Sequence, residues 1–132
     1  MQRHCSNAMA VAHYLQGNPR VEKVFYPGLE DHEGHDIAAK QMRDFGGMVS
    51  FIVKGGREKA AIVADNVKVA TLAVSLGATE TLIEHPASMT HSPYTEEELE
   101  AAGIAPGLIR FSVGLENPED IIADLQQAFD KI

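Results

Sequence analysis

A chain of 132 residues is enough for one domain, with a core that hides roughly two-thirds of the surface the unfolded chain exposes. Hydrophobic residues at 45% and charged residues at 23% lie in the ordinary globular range, well away from a disordered chain. The net charge of -8 is spread along the chain and argues against nucleic acid or an anionic membrane as partner, and no apolar run approaches the ~20 residues that cross a bilayer.

The first predicted element is a helix, because Cys5, Ala8, Met9, Ala12 and Leu15 step by three and four before Gly17-Asn18-Pro19 stops them. Val21 to Tyr26 is β-branched and aromatic and reads as a strand closed by Pro27-Gly28. A helix is expected over Asp36 to Phe45, then a strand over Met48 to Lys54, bounded by glycine pairs on both sides. Arg57 to Asn66 is helical in composition, and Val67 to Ser75 reads as a third strand. Thr95-Glu-Glu-Glu98 has the pattern of a capping box for a short helix ending at Gly103.

Gly107 to Gly114 (GLIRFSVG) reads as the fourth strand, with Ile109, Phe111 and Val113 facing the core and Leu108, Arg110 and Ser112 facing the other way. Asn117-Pro118-Glu119-Asp120 opens the last helix with a cap, a first-turn proline and acids at the positive end of the dipole. Ile122, Leu125 and Phe129 should line its buried face. The fold class is therefore α/β (α+β): one domain over residues 1–132, about four strands in one sheet covered by helices, with the strand order left open.

Several clusters invite chemistry and have plainer explanations. Asp31-His-Glu-Gly-His-Asp36 is rich in metal-ligating types, but His-x-x-His broken by glycine matches no zinc pattern, so a solvated loop and no metal site are expected. Cys5 follows His4, yet neighbours on a helix diverge, and a small core thiol is the simpler reading. As the lone cysteine it forms no internal disulfide, and with no signal-peptide core after Met1 a cytoplasmic setting is expected. Ser75 and His85 could be drawn into a triad on paper, but Ser75 lies outside any G-x-S-x-G elbow. Arg110 remains. Mid-strand it is either a solvent-face residue or the grip for an anion, since the guanidinium fork suits a carboxylate and nearby hydroxyls such as Ser75 and Thr90 could add donors.

The segments VATLAVSLGATETLIEHPASMTH (Val69 to His91) and GIAPGLIRFSVGLE (Gly103 to Glu116) resemble the C-terminal domain of the Cys/Met-metabolism family of pyridoxal-phosphate enzymes, of fold type I. The likeness extends over the whole chain, through VEKVFYPGL and GGMVSF to the final NPEDIIADL, and residues 1–16 resemble the family's interdomain helix. The resemblance implies a small substrate-side domain with a mainly antiparallel sheet. It implies that Arg110 binds the substrate α-carboxylate, that Ser75 assists at the lip of the cofactor pocket, and that Thr90 belongs to the same wall. Members that handle cystathionine usually carry Glu before that serine; Val74 here points to the methionine γ-lyase-like subgroup, α,γ-elimination and a sulfur amino-acid substrate.

One departure is plain. The family's cofactor lysine lies in an S-x-T-K motif, and the six lysines here follow Glu22, Ala39, Val53, Glu58, Val67 and Asp130. The resemblance thus implies a chain that is inactive alone, carries no catalytic residue of its own, and works with an N-terminal pyridoxal-phosphate domain in a homotetramer when full length. The alternatives are a fragment of a cystathionine γ-synthase, cystathionine γ-lyase or O-acetylhomoserine sulfhydrylase, a stand-alone amino-acid-binding α/β module, or a structural domain that docks a partner through the Cys5 to Leu15 stripe.

Overall fold

The strand carrying Arg110 lies at the centre of the sheet. In the computed structural model, which describes all 132 residues, the elements in chain order are α1 (Gln2–Gln16), β1 (Val21–Phe25), α2 (His35–Gln41), β2 (Met48–Val53), α3 (Gly56–Asn66), β3 (Thr71–Leu72), β4 (Leu82–Glu84), α4 (Glu96–Ala101), β5 (Leu108–Ser112) and α5 (Pro118–Phe129). A 3-10 turn over Pro86–Ser88 follows β4. The sheet has five strands in the order β1-β2-β5-β4-β3, antiparallel except between β3 and β4.

Strand alternation decides the two faces of the sheet. Val49, Phe51 and Val53 of β2, with Ile109 and Phe111 of β5 and Val113 just beyond it, are fully buried and meet Ala8, Val11, Ala12 and Leu15 of α1 in one cluster with residues of α3 and α5. Phe51 meets Phe111 edge-on, with ring centroids 6.4 Å apart, and Phe129 at a tilt, 6.1 Å away. Each such side chain contributes about 1.5–3 kcal/mol by leaving water. The three long helices share this face. The opposite face of β5 carries Leu108, Arg110 and Ser112, with no long helix over it.

The α1 stripe packs inside the domain, so it is not a surface for a partner. Thr95 and Glu98 form the capping box: Glu98 N donates to Thr95 Oγ1 at 3.2 Å and Thr95 N to Glu98 Oε2 at 2.8 Å. In α5 it is Ile121 that is fully buried beside Leu125 and Phe129, while Ile122 is only partly covered, and Asn117 caps without a side-chain hydrogen bond. The second helix ends at Gln41, and Phe45 beyond it stacks on His35.

The four-strand expectation fails at two points. Leu82–Glu84 is a strand of three residues, too short to show a period. Val67 to Ser75, expected as a full strand, pairs only at Thr71 and Leu72, because the N–H groups of Lys68, Val69 and Ala70 turn to the Asp124 carboxylate at 2.7, 2.8 and 2.9 Å. The backbone groups a ladder would have used are satisfied by one buried side chain from α5. No helix is long and apolar enough to cross a membrane.

Replacing Asp124 leaves those donors without an acceptor. Asp124→Ala is expected to destabilise the chain by about 2–3 kcal/mol, read as a lowered urea midpoint at constant slope.

Candidate functional site: an arginine clasp on the open face

Arg110 occupies the middle of β5, opposite Ser50 on β2 and Glu84 on β4. Its Nη2 lies 2.9 Å from Glu84 Oε2 and donates to the carbonyl oxygens of Ser75, at 3.2 Å, and Val74. The Arg110 side chain keeps a quarter of its surface exposed, whereas Glu84 is 1% exposed. Nη2 carries every protein contact of the guanidinium, and Nη1 and Nε have no acceptor in the chain. The opening alternatives for Arg110 are thus narrowed: it is not a free solvent-face side chain.

The segment it grips is held from several sides. Gly77 has φ +76, a left-handed conformation that costs a glycine little, and its N–H donates to Ser112 Oγ at 2.9 Å. Glu116 accepts from Thr81 N at 2.6 Å and from Thr81 Oγ1 at 2.7 Å, while Thr81 Oγ1 accepts from Gly114 N. A Cβ on Gly114 would stand 2.5 Å from Thr79 O and Glu80 C, so the end of the central strand and this segment meet backbone to backbone. Arg110 and Ser112, two residues apart on one face, therefore staple the connection between β3 and β4.

The structure brings Arg110, Val74 and Ser75 together and leaves Thr90 out. Ser75 meets the guanidinium through its backbone carbonyl, and its hydroxyl, in an exposed residue, bonds to no protein group. Val74 is about half exposed beside it. Thr90 is exposed and its hydroxyl pairs with His91 Nδ1 at 2.9 Å; no hydrogen bond joins it to Arg110. Glu84 is the member that sequence reasoning missed. Its only available signal was an acid between Ile83 and His85 in an otherwise apolar stretch.

The other candidates have structural roles. His4 donates from Nδ1 to Val113 O at 2.7 Å, away from the buried Cys5 thiol, and His35 donates to Pro27 O at 2.7 Å. His85 does not approach Ser75 as a triad base; its Nε2 donates to Pro106 O at 2.8 Å and its Nδ1 lies 2.7 Å from Ser88 Oγ. As a donor set, a guanidinium with spare N–H groups beside an exposed serine hydroxyl suits an anion such as a carboxylate. Lys54 is bound to the Pro19 carbonyl and Lys23 lies over the Phe25 ring, and no lysine bonds to a clasp residue.

A family model described as Cys/Met metabolism PLP-dependent enzyme matches residues 1–130. The chain is 64% identical, over all of its 132 residues, to an L-methionine gamma-lyase of Fusobacterium nucleatum subsp. polymorphum, of which it spans 33%. It is 46% identical over 131 residues to a cystathionine gamma-lyase of Dictyostelium discoideum, covering 99% of this chain and 34% of that protein. The crystal structure of metB from Corynebacterium glutamicum superposes with a TM-score of 0.90 at 46% identity, over 99% of this chain and 33% of the other. The chain thus spans about a third of the length of the curated relatives it matches.

His85 couples this region to pH. Burial pushes its imidazole below the ordinary 6.5, with the Pro106 carbonyl opposing and the Arg57 charge assisting. A lowered folded value means that the unfolded chain takes up the proton first as pH falls. The stability that neutral His85 contributes is complete above 6.5 and is lost as pH drops below it towards the folded value. Urea midpoints of the chain should therefore fall between about pH 7.5 and pH 5.5, and His85→Gln, which lacks this titration, should fall less over the same interval.

Proposed function

The chain belongs to the Cys/Met-metabolism family of PLP-dependent enzymes, and on that premise we propose that it forms the substrate-side third of a carbon–sulfur lyase acting on a sulfur amino acid, methionine γ-lyase-like in its chemistry. The observation that carries this reading is the Arg110 clasp: a partly exposed guanidinium fixed by one nitrogen, with Nη1 and Nε open to a carboxylate. The apolar Val74 beside it, and the identity of 64% to a methionine gamma-lyase against 46% to a cystathionine gamma-lyase, support the methionine-type substrate. The chain's own position is proposed as the C-terminal third, from the order of the resembling segments.

Pyridoxal phosphate, when held by a lysine in the other two-thirds of the protein, supplies an electron sink for cleavage at the substrate. This chain's residues orient the substrate. Arg110 binds the α-carboxylate through charge-assisted hydrogen bonds and so fixes the rotation of the bonds at Cα, which decides which of them lies along the cofactor π system. Ser75 would add a hydroxyl donor at the lip of the cofactor pocket, and Val74 would present an apolar wall to the side chain of the substrate. The buried pairing with Glu84 lets Arg110 remain charged on a sheet face without being spread into water.

Arg110→Lys in the full-length enzyme keeps the positive charge but loses the planar fork. It should lower kcat/KM by about 10²-fold with the fold intact by circular dichroism; an unchanged kcat/KM would remove Arg110 from substrate binding. The chain by itself, mixed with pyridoxal phosphate, should develop no stable yellow adduct, whereas the full-length protein should. An S-x-T-K lysine encoded in frame upstream of Met1 agrees with the C-terminal position; the same motif downstream of Ile132 refutes it.

A further inference from the structure

Glu84 is a costly residue for this fold. A carboxylate at 1% exposure has left water almost completely, and its Oε1 has no hydrogen-bond partner. Its pair with Arg110 adds little net stability, because taking the carboxylate almost wholly and the guanidinium largely out of water consumes most of what their attraction returns. The Glu84 carboxylate has a single polar partner, Arg110 Nη2, directly across the β4–β5 register. Whatever Glu84 does beyond packing passes through the orientation of the guanidinium.

We propose that Glu84 is a positioning residue: the buried carboxylate holds Arg110 by Nη2 alone and thereby sets which edge of the guanidinium meets the ligand carboxylate. This deepens the substrate reading above and rests on it. Two features of the geometry carry the assignment. First, all protein acceptors converge on one nitrogen, the Glu84 carboxylate together with the two carbonyls, while Nη1 and Nε stay free of protein. Second, Glu84 is on the sheet rather than on a loop, so its oxygen is placed by the ladder that also places Arg110. Without Glu84, the carbonyls could still hold the Arg110 tip at the segment but would leave its plane free to rotate.

The test uses the full-length protein and calorimetric titration with L-norleucine, an unreactive amino acid, against 1-aminopentane, which has the same chain without the carboxylate. Glu84→Gln keeps the shape and an acceptor oxygen but removes the charge. It is expected to weaken norleucine about tenfold, equivalent to about 1.4 kcal/mol, and to leave 1-aminopentane unchanged. In an Arg110→Lys background the same change should cost nothing further, since the effect acts through Arg110. If Glu84→Gln does not fold, Glu84→Asp, which retains the charge and retracts the carboxylate, should give the same selective loss. Unchanged norleucine affinity, equal weakening of both ligands, or an additive loss in the double variant would overturn the positioning role. If Arg110→Lys itself leaves norleucine unaffected, the carboxylate reading fails as well; if it weakens norleucine and Glu84→Gln does not, only the role of Glu84 fails.

Discussion

A guanidinium in the central strand of a sheet has to be neutralised and supplied with acceptors, and the way this chain meets that demand organises its open face. Glu84 on the neighbouring strand provides the charge, and the carbonyls of Val74 and Ser75 provide the remaining acceptors. The segment that follows β3 is thereby drawn onto β5. Ser112 and Glu116 add further bonds to the same connection, so its course is determined by side chains of the central strand and the turn after it. Were Arg110 apolar, nothing on β5 would gather those carbonyls.

The face that the helices cover has a different logic. There, complementary apolar residues of β2, β5, α1, α3 and α5 exclude water, and the few polar groups inside act as anchors. Asp124 gathers three backbone N–H groups, and Tyr26 donates to Gly46 O at 2.9 Å, with burial raising its hydroxyl pKa to about 12. These polar groups are saturated and pair with the chain's own backbone. Those of the Arg110 clasp are not: Glu84 Oε1 has no partner, and Nη1 and Nε of Arg110 have no protein acceptor. Leu72, Val74 and Leu76 in the same segment are also about half exposed. Unsaturated polar groups bordered by exposed apolar ones set this face apart from the core.

The helices were legible because their signals are local. The spacing from Cys5 to Leu15, the Thr95–Glu98 box and the proline at the start of α5 each act within a turn or two, and each element formed where it was expected to within a few residues. The alternation in β5 was likewise visible, since burial of Ile109, Phe111 and Val113 follows from strand geometry alone. The third strand was misjudged for a non-local reason. Val67 to Ser75 has strand-like composition, yet the acceptor that captures its first N–H groups lies more than fifty residues away, on a helix. β4 was missed because three residues contain too little pattern.

Sequence by itself determined the alternation of helices and strands, the core face of β5, the family resemblance and the choice of Arg110 as the residue to explain. Tertiary structure alone decided what Arg110 touches. Its partner Glu84, the carbonyls of Val74 and Ser75, and the separation of Thr90 from the clasp all depend on which strands lie side by side. Side-chain chemistry is encoded residue by residue, but the register that brings an acid opposite a guanidinium arises only when distant strands pair.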